Sequence, residues 1–349
     1  MKSKSTAIFF AILAAALFGI GSPVSKLLLE EIPPTLMAAL LYLGAGFGML
    51  AMNLFRGWNR KERLEAGMTK KELPYIAGMV LLDIAAPVCL MFGLSRTTAA
   101  NASLLNNFEI AATALIALLV FKEAIGRRMW TAIFLITLSS AILSFEDFSS
   151  LSFSVGSLFV LLACLCWGFE NNCTRMLSLK DPQQIVVIKG FGSGTGSLII
   201  ALALKQYSTD LLYIAVALLL GFVAYGLSIY FYILAQRELG AARTSAYYAT
   251  APFIGVLLSI LLFGQQITAA FIAASIIMIL GAFFAAVEHH QHPHVHEELT
   301  HDHRHSHDDS HHIHTHEYKV DGEHSHVHTH VRTEHTHRHT PDVHHHHSH

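Results

Sequence analysis

Four ionisable residues stand deep inside long apolar runs. They are Asp83 in "VLLDIAAPVCL", Glu109 in "SLLNNFEIAATALIALL", Glu170 in "CWGFENNC" and Lys189 in "IVVIKGFG". If these runs lie in a bilayer, each such group costs roughly 2.5–3.5 kcal/mol or more at its centre. It is then tolerated only if protonated, paired or facing a polar path. Around Glu109, the residues Ser103, Asn106, Glu109 and Thr113 recur at helical spacing and place a polar stripe on one face. A carboxyl withdrawn from water on such a stripe is suited to exchanging a proton or meeting a polar solute. The alternative is a neutral or paired carboxyl with a packing role only. Glu170 sits beside Asn171, Asn172 and Cys173, and Lys189 has an acid partner available if the fold brings one near. Asp83 precedes Pro87 by one turn, so its carboxyl could also bind backbone groups that the proline leaves free. Tyrosines add a second set: Tyr225, Ser228 and Tyr232 share one helix side, and Tyr247 and Tyr248 precede Pro252. Such rings line cavities or form interfacial belts, and the sequence leaves both open.

A different chemistry fills the C-terminal end. All 25 histidines lie between His289 and His349, together with 10 Asp/Glu and 4 Lys/Arg. His-x-His runs supply His301, His303, His305 and His307, then His324, His326, His328 and His330, then His335, His337 and His339. An imidazole with an unperturbed pKa near 6.5 is largely neutral at cytosolic pH and free to ligate. Imidazole without thiolate suits Zn²⁺, Ni²⁺, Co²⁺ or Cu²⁺. The segment lacks the apolar content to fold alone and is expected to be disordered. An expression tag would be a short terminal run and would explain only the last few residues.

The elements that position these residues are apolar on every side. Of the whole chain, 53% is hydrophobic and 14% charged. Runs such as 211–235 and 269–287 show no polar face, and about 20 such residues cross a bilayer. Ten spans are expected: 7–29, 35–55, 74–94, 98–121, 127–145, 154–178, 182–204, 211–235, 242–263 and 268–287. The first, behind Lys2 and Lys4, resembles a secretory leader but runs on to about Leu29 without a clear cleavage site, so it reads as a span. Prolines at "EEIPP" and "DP" end helices, and residues 56–72 form a charged loop. "GAGFG" (44–48) and "GFGSGTG" (190–196) supply small residues for close helix contact rather than a nucleotide loop. Cys89, Cys164, Cys166 and Cys173 read as small buried apolar side chains.

With the N-terminus inside, the inner segments collect fifteen basic residues: Lys2, Lys4, Arg56, Arg60, Lys61, Arg63, Lys70, Lys71, Lys122, Arg127, Arg128, Arg175, Lys180, Arg237 and Arg243. The outer segments hold three, Lys26, Arg96 and Lys205. Positive charge stays in the cytoplasm, so both termini are expected there. The halves also match one another: "FGIGSPVSKLLLEEIP" (18–33) aligns without gaps on "WGFENNCTRMLSLKDP" (167–182). "VFKEAIG" (120–126) answers "LFGQQIT" (262–268). Five spans per copy is an odd number, so the second copy is inverted in the membrane.

These features resemble the drug/metabolite transporter superfamily, in its ten-helix EamA type, over about residues 7–287. The Trp-Gly pair that opens family halves is present as Trp167-Gly168 and weakened to Phe18-Gly19. The Glu-Pro dipeptide of the fourth helix is divided between Glu109-Ile110 and Ala251-Pro252, with Glu123 and Gln265 at the following acidic position. Tyr42 stands near the position of an arginine common in the family. The resemblance implies a secondary carrier of a small organic solute, working by alternating access and often in exchange for protons. It also implies no enzymatic role, and no nucleophile–base set is seen. The expected fold is an all-α polytopic membrane protein: residues 1–146 and 147–288 form two inverted five-helix repeats, and 289–349 a cytoplasmic metal-binding tail. Glu109, Glu170, Asp83, Lys189, Asn106, Tyr225, Tyr232 and Tyr248 are the candidate solute and proton pathway. The expected partners are the lipid bilayer, a small solute and transition-metal ions, with no nucleic acid. Two alternatives remain at this level: a divalent transition-metal transporter, and a non-transporting metal sensor or store.

Overall fold

The computed structural model describes residues 4–57, 70–121, 125–147, 152–177, 180–239, 244, 247–265, 267–286, 290–296, 299–305, 324–330 and 333–339. Its apolar body is all-helical, because a helix satisfies every backbone donor and acceptor within its own segment where no water is present. The helices are α1 (Lys4–Gly19), α2 (Gly21–Leu28), α3 (Pro34–Gly57), α4 (Leu73–Arg96), α5 (Ala99–Leu105), α6 (Phe108–Phe121) and α7 (Arg127–Ser144). They continue as α8 (Val155–Leu177), α9 (Pro182–Ala203), α10 (Leu211–Gly221), α11 (Ser228–Leu239), α12 (Ala251–Phe263) and α13 (Ala269–Ala286). A π-helical segment, Phe222–Leu227, joins α10 to α11. Side chains fix several starts: Asp181 accepts from Gln183 N, and Asp210 accepts from Leu212 N.

Among the described residues, eight helical stretches are long and apolar enough to cross a membrane. Ten were expected, and the two outside this set are α7, which opens on Arg127 and Arg128, and α12, a 13-residue apolar helix. Large side chains such as Leu211 (80% exposed) and Leu119 (75% exposed) face outward, a surface suited to lipid rather than water.

The packing relates the two halves. α3 lies along α9, α5 against α12, and α7 along α13, each pair being counterparts in the internal match. α1 lies along α11 and α4 along α8, the two crossed pairings that a two-fold relation between halves requires. The small residues of α3 and α9 permit this approach. A Cβ on Gly190 would stand 2.4 Å from the Gly46 Cα and N, so the backbones touch there.

Between the halves β1 (Phe145–Asp147) pairs with β2 (Ser152–Phe153). In the histidine-rich segment the described stretches are extended. β3 (His290–His296) pairs antiparallel with β6 (Thr333–His339), and β4 (Leu299–His305) with β5 (His324–His330). The His-x-His alternation has the two-residue period of a strand. His307 lies outside the described residues, as do Glu123 and the charged loop 58–69.

Candidate functional site

The fourth span, Ala99–Val120, is tightened at its middle. α5 ends at Leu105, Asn106 and Asn107 form a turn, and α6 begins at Phe108. The expected stripe of Ser103, Asn106, Glu109 and Thr113 crosses this point: Asn106 keeps right-handed helical backbone, and the amides of Asn107, Glu109 and Ile110 each bond three residues back. Ser103 and Asn106 precede the junction, and Glu109 stands in the first turn of α6. The Ser103 Oγ, Asn106 Oδ1 and Asn107 Oδ1 atoms are buried with no hydrogen-bond partner among the described residues. These are side-chain oxygens; the backbone amides of Asn106, Asn107, Glu109 and Ile110 all bond to preceding carbonyls.

Glu109 is half-buried and tied to the second half. Asn171 Nδ2 on α8 donates to Glu109 Oε1 at 2.6 Å and to Thr113 Oγ1 at 3.2 Å. The neighbouring Asn172 Nδ2 donates to the Gly168 carbonyl at 2.8 Å and to the Thr113 carbonyl at 3.2 Å. The sequence placed Asn171 and Asn172 beside Glu170; the fold turns Asn171 toward Glu109 instead.

The other three ionisable residues form one cluster. Lys189 Nζ on α9 lies 2.9 Å from Glu170 Oε1 on α8 and 3.2 Å from Asp83 Oδ2 on α4. Asp83 is fully buried, and its Oδ1 accepts from the Tyr42 hydroxyl at 2.9 Å. Its carboxyl is thus occupied by Tyr42 and Lys189, not by the backbone near Pro87. Glu170 Oε1 also accepts from the Thr174 hydroxyl. Trp167 Nε1 donates to the Tyr42 hydroxyl at 3.4 Å. Tyr42 and Trp167 were not singled out from the sequence for this role. Tyr42 stood where the family arginine was missing, which was the one available hint.

The tyrosines continue from this cluster through the interior. Tyr42 packs on Tyr225 with ring centroids 5.4 Å apart, and Tyr225 on Phe18 at 6.0 Å. Phe18 meets Tyr248 at 5.7 Å, and Tyr248 meets Tyr232 at 5.0 Å. Ser228 Oγ donates to the Ala14 carbonyl at 2.9 Å and shares a hydrogen bond with the Tyr248 hydroxyl at 3.3 Å. Tyr225 is 6% exposed, so it is an interior ring and not part of an interfacial belt. The eight pathway candidates therefore fall into three neighbouring groups: the α5–α6 junction, the ion cluster and the aromatic row.

At the far end of α4, Lys26 Nζ donates to the Leu94 carbonyl at 2.5 Å and to the Thr97 carbonyl at 2.9 Å, closing that helix end. Among the described residues no group of three or more His, Cys, Asp or Glu could hold a metal ion.

The sequence matches the model of the EamA-like transporter family twice, at residues 5–145 and 154–287. It is 26% identical over 288 residues to an uncharacterized transporter of Methanothermobacter thermautotrophicus, a match covering 78% of this chain and 83% of that one. It is 22% identical over 293 residues to the uncharacterized transporter YyaM of Bacillus subtilis, covering 81% and 94%. One solved crystal structure superposes with a TM-score of 0.56 at 16% identity, over 81% of this chain and 96% of that one, and so shares the fold.

Proposed function

The chain belongs to the EamA-like transporter family, and on that premise we propose that it is a proton-coupled secondary carrier of a small organic solute, working by alternating access between its halves. Membership and multi-pass helices establish a membrane transporter. The finer reading adds α7 and α12 as spans, making ten, with the second repeat inverted and both termini in the cytoplasm. The crossed packing of α1 with α11 and α4 with α8 supports the inversion.

One observation carries the solute site. Glu109, at the tightened middle of the fourth span, is hydrogen-bonded across the boundary between repeats to Asn171. A group held between two halves that move relative to one another is placed to sense both conformations. The unpartnered Ser103, Asn106 and Asn107 oxygens beside it offer acceptors to a polar cargo. Their neighbours Tyr225, Tyr232 and Tyr248 supply interior ring surface. The histidine-rich segment lies beyond the second family match and is assigned a buffering or regulatory role for Zn²⁺, Ni²⁺, Co²⁺ or Cu²⁺. Strand register supports this by setting His301 opposite His328, His303 opposite His326 and His305 opposite His324.

The test is flux through the purified full chain in vesicles that contain a pH-sensitive dye. A panel of amino acids, amines, nucleotide-like metabolites and the four metal ions is presented outside. Proton movement dependent on one organic solute, lost in Glu109→Gln at equal protein content, is the expected result. Flux of a metal ion alone would move the carrier to metal transport. Proton flux that persists unchanged in Glu109→Gln would make that residue structural.

A further inference from the structure

The cluster of Asp83, Glu170 and Lys189 is left without a role by a solute site at Glu109. It is buried: side-chain exposure is 0% for Asp83, 2% for Glu170 and 9% for Lys189. Two carboxylates and one ammonium sum to one net negative charge, and no other Lys or Arg bonds to the cluster among the described residues. A net charge in a desolvated place is costly unless it is neutralised. Here one proton on either carboxyl leaves a neutral acid beside a neutral ion pair.

The geometry allows either carboxyl to carry the remaining charge. Asp83 has the Tyr42 hydroxyl as donor and Lys189 as ion-pair partner; Glu170 has the Thr174 hydroxyl and Lys189 as donors. The ammonium lies between the two acids, so a proton shared by the pair exchanges without rebuilding the site. The other titratable groups nearby are Tyr42 on α3, Cys173 on α8 (facing Gly78 of α4), Tyr225 behind Tyr42, and Glu109 on α6. Glu109 bonds to Asn171 and not to Lys189, so it acts on the cluster through space and not through a hydrogen bond.

We propose that Asp83, Glu170 and Lys189 bind one exchangeable proton at a site distinct from Glu109, and that its release to water changes the bridge holding α4 of the first repeat to α8 and α9 of the second. With the proton bound, Lys189 is satisfied by one carboxylate; after release, two carboxylates compete for it. The bridge joins the repeats, so its state is coupled to their relative position. This deepens the carrier reading by assigning its coupling proton.

The indole of Trp167, bonded to Tyr42, is a built-in reporter. Trp58→Phe and Trp130→Phe leave it as the sole tryptophan of three. The full chain carrying those changes, in lipid nanodiscs, is titrated while fluorescence and the infrared carboxyl band are recorded. A one-proton transition in both signals is expected, lost in Asp83→Asn and in Glu170→Gln, and kept in Glu109→Gln. Either acid variant suffices if the other does not fold. A transition that survives both acid substitutions, disappears with Glu109→Gln, or is absent from the parent overturns the proposal. The carrier reading fails separately, in the vesicle flux, and needs no solute to be identified for this titration.

Discussion

Lys189 Nζ, in the second repeat, lies 3.2 Å from Asp83 Oδ2, in the first. The contact unites two helices that are far apart in sequence, and it accounts for both residues being tolerated at membrane depth. Lys189→Met should therefore leave two acids facing one another without a cation. Removing one partner of a buried pair costs about 3–5 kcal/mol. Thermal unfolding of the purified protein should show a clear drop in midpoint, partly recovered in the Asp83→Asn, Lys189→Met double variant. Equal midpoints for the single variant and the parent would show that the pair contributes little.

Gly190 tests the seam between repeats. Any side chain there meets the Gly46 backbone, which cannot move aside as a flexible side chain can. Gly190→Leu should cost at least the about 1–3 kcal/mol of an overpacked core and separate α3 from α9. The yield of monodisperse protein should fall sharply, while Thr195→Leu, at an exposed position of the same helix, should have little effect.

Orientation is tested by reporter fusions. The fifteen basic residues assigned to the inner segments against three in the outer ones predict both termini in the cytoplasm. A reporter joined after His349 that is active only outside the membrane would overturn the orientation and the inverted repeat together.

The histidine-rich segment should be separable from the carrier. Both family matches end by residue 287, so deleting 289–349 should leave the helical body inserted and folded. The full chain should bind several Zn²⁺ or Ni²⁺ ions by equilibrium dialysis, and the deletion should lose them. Protons compete for the same imidazole lone pairs, so binding holds above about pH 6.5 and is lost as pH falls through that range. Transport that vanishes with the deletion at normal membrane levels would make the segment part of the conduction path.

Sequence alone determined the class of this protein. Apolar runs without a polar face can be satisfied only in lipid, and lipid admits helices, so the membrane body was readable from composition and period. The internal match at Gly19/Gly168 and Pro33/Pro182 carried the repeat, and the family resemblance followed from it. Asp83, Glu109, Glu170 and Lys189 were visible because a charge is conspicuous where its neighbours are apolar. Their partners were decided by tertiary structure. No spacing rule pairs Lys189 with Asp83, or Asn171 with Glu109, because those contacts depend on how α4, α6, α8 and α9 cross. The tightening at Asn106–Asn107 was equally hidden. Helical periodicity runs through those residues without a proline or glycine, and the tightening there shows only in the three-residue backbone hydrogen bonds of Asn107, Glu109 and Ile110. Hydrophobicity is a local property that each residue carries into any fold, whereas the pairing of buried polar groups exists only once distant helices meet.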